Sequence, residues 1–464
     1  MAEGFIKTKI DGTAVEIGDE LIAKYDRPLP RYTSYPPAPA WGEFSAETEA
    51  HALCSAASAP VSLYIHIPFC DAKCAFCGCH SVATPDREIA ERYVAACVAE
   101  MAIVSTHAGK KMGVGQIHFG GGTPTSIGIE SLGRIIESAR NNFSIDAEAE
   151  IGIEIDPRTV SVKDIETLAS FGFNRASFGV QDFDADVGRA IGRSADPGHA
   201  GELTRAARAS GMGGINFDLI YGLPAQNPES WRRTLARTME FSPDRIALFN
   251  FAYLPSLLPH QKGLDENLLP SPRTKVELFA AAIEIFQDAG FEFIGLDHFA
   301  RAGDALAKAH HSGNLTRNFQ GYSAGAETSL VGLGATAISE IDDIYGQNEV
   351  KLVSYLDKIE SGNLATARGM VLSKDDEMRR WAIRKIMCSQ RLSKPEFAQK
   401  WGKNFDAAFP EAAARLKAIE DDGIVRNTPD AVEVTPLGRI FVRAVAATFD
   451  ATLDQRSKHY SRGI

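Results

Sequence analysis

A surplus of basic residues, an apolar run long enough to span a membrane and an even set of cysteines are all missing from this sequence. Each absence removes a class of function. Forty-nine Lys and Arg stand against sixty Asp and Glu, a net charge of −11. That balance disfavours a dedicated nucleic-acid binder, yet it leaves room for a local basic pocket that takes an acidic small molecule. No stretch approaches the ~20 consecutive apolar residues of a spanning helix. The opening stretch MAEGFIKTKIDGTAVEIGDELIAKY lacks the apolar centre of a secretory signal, so we expect a cytoplasmic protein. Seven cysteines in 464 residues are few and odd in number, and a reducing compartment does not favour disulfides. The glycine-rich stretch GGGTPT (120–125) has no P-loop lysine, which makes nucleotide-phosphate binding a poor reading. GLGATA (332–337) imitates a dinucleotide fingerprint, but it comes late and without an acidic ribose partner. Low-complexity tracts and internal sequence repeats are absent too.

What the sequence does hold is concentrated. CDAKCAFCGC (70–79) contains four of the seven cysteines. Cys54, Cys97 and Cys388 are scattered and read as small core residues; Cys97 shares a helical face with Ile89, Tyr93 and Met101. Zinc would normally draw its four ligands from two separated pairs, and no second C-x2-C pair exists. His80 is a poor fourth ligand because adjacent residues seldom reach one metal. An iron–sulfur cluster is the reading that remains, since thiolates are its usual ligands. Three cysteines at C-x3-C-x2-C can hold three irons and leave a fourth open to chelate a substrate. Cys79, two residues past Cys77, is too close to reach a separate corner.

The chain around this loop alternates strand-like and helix-like stretches. SLYIHIP (62–68), QIHFGGG (116–122), EIGIEID (150–156), RASFGV (175–180), GINFDLIYGLP (214–224) and RIALFNFAYL (245–254) read as strands. Amphipathic segments lie between them, such as IESLGRIIESARNNF with Ile129, Leu132, Ile135, Ile136 and Ala139 on one stripe. SVKDIETLASFGF has Ser161 as N-cap and Gly172 as C-terminal stop. Six strand–helix units predict an α/β fold with a parallel sheet: a partial (β/α)6 TIM-like barrel, with a doubly wound sheet as the runner-up. The chemistry-bearing residues fall at the strands' C-terminal ends, the face where such folds build their sites. The cysteines follow strand one, GGGTPT follows strand two, and Glu154 and Asp156 end strand three. Gln181 follows strand four, Asp218 lies in strand five and Ala252 closes strand six. Alternation puts Tyr64 and His66 on one strand face and Ile65 and Ile67 on the other.

FEFIGLDHFA and SLVGLGATAISEI extend the sheet, and from about Leu372 the character turns helical. AIEDDGIVRNTPDAVEVTPLGRIFVRAVA has the helix–hairpin–helix order of a winged helix, read here as packing or substrate covering. We expect an N-terminal extension over 1–60, a barrel with sheet extension over 61–365 and a mostly helical C-terminal domain over 366–464.

The cysteine loop resembles that of the radical S-adenosylmethionine (SAM) superfamily, with Phe76 as the aromatic before the last cysteine. PRYTSYP, YIHIPFC with its CGC, HFGGGTPT, IEIDPR, NRASFGVQDF, INFDLIYGLP, DHFA and RNFQGY run in order along nearly the whole chain. Together they resemble the oxygen-independent coproporphyrinogen III oxidase family of haem biosynthesis. FAYLP and the HSVATPD that follows Cys79 depart from the forms expected in the family. The related haem chaperones usually lack the C-x-C ending that Cys79 provides here.

The resemblance implies one [4Fe-4S] cluster, two SAM molecules and a 5′-deoxyadenosyl radical that attacks the propionates of coproporphyrinogen III. It implies Cys70, Cys74 and Cys77 as cluster ligands. Tyr64, Gly121, Glu154 and Ile338 would contact one SAM; Phe76, Gly122, Thr123, Gln181, Arg193, Asp218 and Ala252 would surround the second. His66, Cys79, Phe319 and Gln320 match residues expected near the reacting groups. Four substrate propionates call for Arg or Lys partners, and Arg31 is one candidate. The helical C-terminal domain is expected to cover the mouth. A low-potential electron donor, an unknown acceptor and a monomeric state complete the expectation. A haem chaperone and a radical SAM methyltransferase acting on a tetrapyrrole are the alternatives.

Overall fold

The computed structural model describes residues 4–83, 86–325, 329–453 and 460–463; Thr84 and Pro85 of the HSVATPD stretch lie outside them. Six parallel strands form its centre: β1 Val61–Ile67, β2 Gly113–Gly121, β3 Ser144–Ile155, β4 Arg175–Gln181, β5 Gly214–Tyr221 and β6 Arg245–Asn250. Each pairs with the next in sequence. A doubly wound sheet reverses its strand order; this one does not, so right-handed crossovers put every helix on one face and curl the sheet into a partial barrel.

Strand alternation decides the two faces. Ile65 and Ile67 of β1, Ile117 and Phe119 of β2, and Phe178 of β4 point outward and are fully or almost fully buried beneath the helices. Those helices are α1 Arg87–Ala108, α2 Ile129–Asn142, α3 Val162–Ser170, α4 Pro197–Ala209, α5 Pro228–Glu240 and α6 Pro272–Asp288. Local chemistry sets their ends. Asp86 caps α1 and Gly109, at φ 73°, stops it. Ser161 and Asp164 form a capping box on α3, and Gly172 follows its end at φ 98°.

The sheet grows at both edges, antiparallel beyond β6, and on the other side through β9, parallel to β1, followed by antiparallel strands. Beyond β6 come β7 Phe291–Gly295 and β8 His298–Arg301; beside β1 come β9 Leu330–Leu333, β10 Ile338–Ile341, β11 Ile344–Asn348 and β12 Thr366–Val371. FEFIGLDHFA is thus a hairpin, and SLVGLGATAISEI makes β9, a turn and β10. The C-terminal region holds helix Lys374–Ser389, helix Pro410–Asp421, hairpin strands Val425–Asn427 and Ala431–Val434, and a short helix Pro436–Ile440. A third strand, Arg391–Ser393, joins the hairpin, completing the winged-helix order.

Three expectations need correction. Cys97 and Cys388 are buried as predicted, but Cys54 is exposed. Ile89, in the first turn of α1, is 37% exposed, whereas Tyr93, Cys97 and Met101 are buried and carry that face. Strand six ends at Asn250, so Ala252 lies in the loop beyond it. No helix among the described residues is long and apolar enough to cross a membrane.

Candidate functional site

The inward face of the barrel is polar. Gln116, His118 and Gly120 of β2, Glu150, Gly152 and Glu154 of β3, Arg175, Ser177 and Gly179 of β4, and Asn216 and Asp218 of β5 alternate with the outward apolar residues. They surround a cavity of about 950 Å³. Its floor is a closed charge network. Glu150 lies 2.8 Å from Arg175 and 3.3 Å from Arg245, while Asp304 lies 3.2 Å and 2.7 Å from the same two guanidiniums. Burial works to raise the Glu150 carboxyl, but Arg245 and Arg175 outweigh it and hold it down at about 2.

Above the floor stand the predicted groups. His118 Nε2 lies 3.2 Å from Glu154, and Tyr64 stacks on His118 at 6.1 Å. Asp218 accepts hydrogen bonds from Ser177 at 2.9 Å and Asn216 at 2.7 Å. Burial, then the Glu154 charge, pushes Asp218 up to about 7. His66 is buried and pushed down to about 4 by that burial. Its Nε2 lies 3.2 Å from the His80 carbonyl and must donate to it, leaving Nδ1 to accept from the Tyr64 hydroxyl at 3.1 Å. His66 is therefore a neutral imidazole of one tautomer.

The three glycines after β2 meet three different groups. A Cβ on Gly120 would lie 2.7 Å from the Glu154 carboxylate, on Gly121 2.7 Å from the His66 ring, and on Gly122 2.4 Å from the Phe69 carbonyl and 3.0 Å from the Cys70 sulfur. Gly121 also sits at φ 116°, a conformation that excludes other residues. Gln181, which has a side chain, is held at φ 68° where the β4–β5 register slips. Strain of this kind gathers at working sites.

Cys70, Cys74, Cys77 and Cys79 all border the cavity. Thr123 Oγ1 donates to Cys70 Sγ at 3.6 Å. Arg193 Nη1 lies 3.4 Å from Cys74 Sγ, its other end donates to the Gly179 carbonyl at 2.6 Å, and Asp156 lies 3.3 Å away. The Cys79 thiol donates to Cys77, lowering the Cys77 thiol and raising its own; the Cys79 amide also donates to Cys77 Sγ at 3.4 Å. Cys79 thus differs in kind from the other three. Lys73 pins the loop through the Cys79 carbonyl at 2.8 Å and Ser81 at 2.9 Å.

A loop after β6 closes over the cysteines. His260 Nε2 donates to the Cys77 carbonyl at 2.8 Å. Fully buried Gln261 ties Phe76, Ala252 and Leu254 together through their backbones at 3.3, 3.0 and 2.6 Å. The donor set suits an iron–sulfur cluster: three free thiols on one short loop, cationic Arg193 beside them, and a glycine backbone at the distance a side chain would fill. Among the described residues no three His, Cys, Asp or Glu side chains converge on a single metal ion.

Of the predicted residues, Phe76, Gly121, Gly122, Thr123, Glu154, Gln181, Arg193, Asp218, Ala252 and Gln320 border the cavity with the cysteines and Arg31. Tyr64 and His66 stand one layer behind, against His118 and Gly121. Ile338 lies over Gly332, whose Cβ would meet the Ile338 carbonyl at 2.5 Å and whose register partner is Tyr64. Phe319 packs with Trp41 at 5.6 Å and Tyr345 at 6.4 Å, which aims the adjoining Gln320 inward. Among the described residues no bordering residue comes from beyond Ser323; the post-β6 loop, Arg31 and the 320–323 hairpin stand where cover from the C-terminal domain was expected. His118, Arg158 and the floor network were not anticipated. For His118, Glu150, Arg175 and Arg245 the signal was the polar period of two within otherwise apolar strands.

The pattern of the Radical SAM superfamily matches residues 64–238, and that of the HemN C-terminal domain matches residues 372–441. The oxygen-independent coproporphyrinogen III oxidase of Synechocystis is 39% identical over 462 residues, spanning 97% of this chain and 98% of its own. The Escherichia coli K12 enzyme of that name is also 39% identical, over 96% of this chain and 98% of its own. The solved structure of Escherichia coli coproporphyrinogen III oxidase, described as a radical SAM enzyme, superposes with a TM-score of 0.88 over 91% of this chain and 98% of its own, at 39% identity.

Proposed function

The chain belongs to the oxygen-independent coproporphyrinogen III oxidase family of radical SAM enzymes, and from that premise we propose that it converts two propionate side chains of coproporphyrinogen III to vinyl groups. The product is protoporphyrinogen IX. When bound, a [4Fe-4S] cluster and SAM supply the one-electron chemistry that takes a hydrogen atom from the propionate β-carbon. Loss of carbon dioxide and one electron from the side chain then leaves the vinyl group, so the reaction needs an electron acceptor besides its low-potential donor. The observation that carries this reading is the meeting of Cys70, Cys74 and Cys77 with the three-glycine turn and Arg193 at the mouth of one large cavity.

The protein's part is to bind, orient and exclude water. Cys70, Cys74 and Cys77 hold the cluster, and Arg193 offsets thiolate charge beside Cys74. Gly121 lets a ligand lie against the backbone beside Glu154 and Tyr64, and Ile338 flanks that place. Phe76, Gly122, Thr123, Gln181, Asp218 and Ala252 form a second wall, and two walls of this kind support two SAM molecules. Gln320, whose side-chain nitrogen finds no partner among the described residues, presents a free amide to the substrate with Phe319 behind it. His66, neutral, and Cys79, a thiol donor to Cys77, complete the reacting end. We read the protein as a monomer. Thiols of this kind suit a reducing cytoplasm.

The test is anaerobic turnover of reconstituted protein with coproporphyrinogen III, SAM, a low-potential reductant and a cell extract supplying the acceptor, read by mass spectrometry. Two successive carbon dioxide losses with 5′-deoxyadenosine formed, both abolished in Cys74→Ser, are expected. Deoxyadenosine without decarboxylation would overturn the substrate assignment; tight haem binding or demethylated SAM would point to a carrier or a methyltransferase.

A further inference from the structure

Across the cavity from the cysteines, positive charge gathers with too little negative charge to match it. Arg31 borders the cavity, 33% of its side chain exposed, and pairs with the buried Asp297. Behind it lies Arg317, 2% of its side chain exposed, with Nη1 3.8 Å from the same carboxylate. Arg443 sits on the far side and, among the described residues, donates only to backbone carbonyls and a serine hydroxyl; Nε meets Pro30 at 3.0 Å and Nη2 meets Leu29, the two residues before Arg31. Two guanidiniums, Arg31 and Arg317, therefore share one carboxylate, and the third, Arg443, adds its charge nearby. His298 adds no negative charge, its Nδ1 lying 2.6 Å from Asp297. Among the described residues, Nε and Nη1 of Arg317 have no hydrogen-bond partner although both are buried. Burial works to raise the Asp297 carboxyl, but Arg31, His298 and Arg317 hold it well below its ordinary value. It is a fixed anion already claimed on several sides.

Uncompensated buried cations are costly, and an anion from the cavity side relieves that cost. Arg31 is shaped to receive one. Its guanidinium offers a planar set of donors that fits a carboxylate. One end is anchored on Asp297, and its face lies over the Phe249 ring at 5.3 Å. We propose that Arg31, oriented by Asp297 and backed by Arg317, is a subsite for one propionate carboxylate of the porphyrinogen, on the wall opposite the cysteine loop. The assignment rests on the function proposed above. It makes Arg31 the specificity residue and Asp297 a positioning residue, and it gives the N-terminal extension a direct part in substrate choice. The Gln320 amide, on the turn that follows Arg317, adds a neutral donor to the same wall.

The experiment compares reconstituted wild type, Arg31→Gln and Arg31→Lys. It reads the affinity for coproporphyrin III, a stable oxidised analogue, by fluorescence, and the KM for coproporphyrinogen III. It also reads reductant-driven SAM cleavage without substrate and the cluster absorbance. Arg31→Gln is expected to weaken analogue binding and raise the substrate KM by about ten-fold or more, with substrate-free SAM cleavage and cluster absorbance unchanged. Arg31→Lys is expected to recover part of the loss, and added salt to weaken wild-type binding more than that of Arg31→Gln. An active wild type whose Arg31→Gln variant binds and turns over normally would overturn the subsite and leave the function standing. Equal loss of SAM cleavage in both variants would make Arg31 a scaffold residue and also overturn it. A wild type that cleaves SAM yet neither binds the analogue nor decarboxylates the substrate would overturn the function and the subsite together.

Discussion

At the scale of single residues, the site depends on what is absent from three glycines as much as on what neighbouring side chains supply. Gly121 is the sharpest case, since a methyl group there would enter the His66 ring at 2.7 Å, from a backbone at φ 116°. Gly121→Ala must therefore displace His66, which is held between Tyr64 and the His80 carbonyl, or twist the turn. We expect a stability loss of about 1–3 kcal/mol and at least about a hundred-fold loss of deoxyadenosine formation. Denaturant titration and single-turnover product analysis would check both, and a variant that kept full rate would show that the turn is not the ligand's bed. The sequence made this turn readable as a close-approach element, and eleven of the non-cysteine residues it predicted for cofactor and substrate, Arg31 among them, border the cavity. It could not show that Tyr64 and His66 stand behind that wall. Alternation assigns a face but not a depth, and depth depends on how far the barrel curls. Arg158 was hidden for a related reason: its importance lies in Asp156, 2.7 Å away, and in a sulfur brought near only by folding.

At the scale of elements, the strands were legible because their outward faces carry unbroken apolar alternation. Their inward faces carry a message that was only half read. Polar residues and glycines at every second position of β2 to β5, joined by Arg245 of β6, replace the branched apolar filling of an ordinary barrel interior, and the charges have to find one another. Glu150 from β3, Arg175 from β4, Arg245 from β6 and Asp304 beyond β8 do so as two acids and two bases. Arg245→Met would leave two buried carboxylates to one guanidinium, and we expect a cost of about 3–5 kcal/mol. The acid response has a definite sign. Glu150 is held down at about 2 against an ordinary value of about 4.3. Its contribution, on the order of 2–3 kcal/mol, is present above pH ~4.3 and is lost as pH falls through its folded value. Chemical denaturation from pH 5 to pH 2 should show a shallower decline in Glu150→Gln than in wild type. GLGATA also finds its explanation at this scale. Gly334 and Ala335 accept no nucleotide; their amides donate to Glu100 at 2.6 Å and to the Tyr93 hydroxyl at 2.9 Å, and Tyr93 donates in turn to the His66 carbonyl at 2.7 Å. The glycines are there because a Cβ on Gly334 would lie 2.5 Å from that carbonyl. A sequence pattern shared with dinucleotide sites thus marks a tight corner that braces the end of β1.

At the scale of the whole molecule, the N-terminal extension and the C-terminal region are bound to each other, a fact no local pattern announces because the partners lie more than 400 residues apart. Leu29 N–H donates to the Ser461 carbonyl at 3.0 Å, and Gly463 N–H to the Arg27 carbonyl at 2.8 Å. Tyr32 donates to Asp450 at 3.1 Å, and Arg462 meets Asp26 at 2.7 Å. Arg443 clamps both segments at once, donating to Pro30 and Leu29 on one side and to Ser461 and Arg462 on the other. Burial, then the charge of Arg31, pushes its guanidinium down to about 9, so it still carries its charge at neutral pH. Among the described residues the C-terminal region contributes nothing to the cavity wall; it holds the segment of the extension that carries Arg31 to that wall. Arg443→Met keeps comparable volume and removes every one of these donors, leaving several buried carbonyls unpaired at a cost of about 1–3 kcal/mol each at most. The loss should be local. Hydrogen exchange should quicken at the amides of Leu29 and Gly463, while β1 to β6 keep their protection. Substrate-free SAM cleavage should stay at the wild-type rate, because the cysteine loop and the glycine turn touch none of these residues. The KM for coproporphyrinogen III should rise as Arg31 loses its fixed position. If exchange quickens at both termini and the KM does not move, the clasp serves stability alone and Arg31 is held by Asp297 unaided.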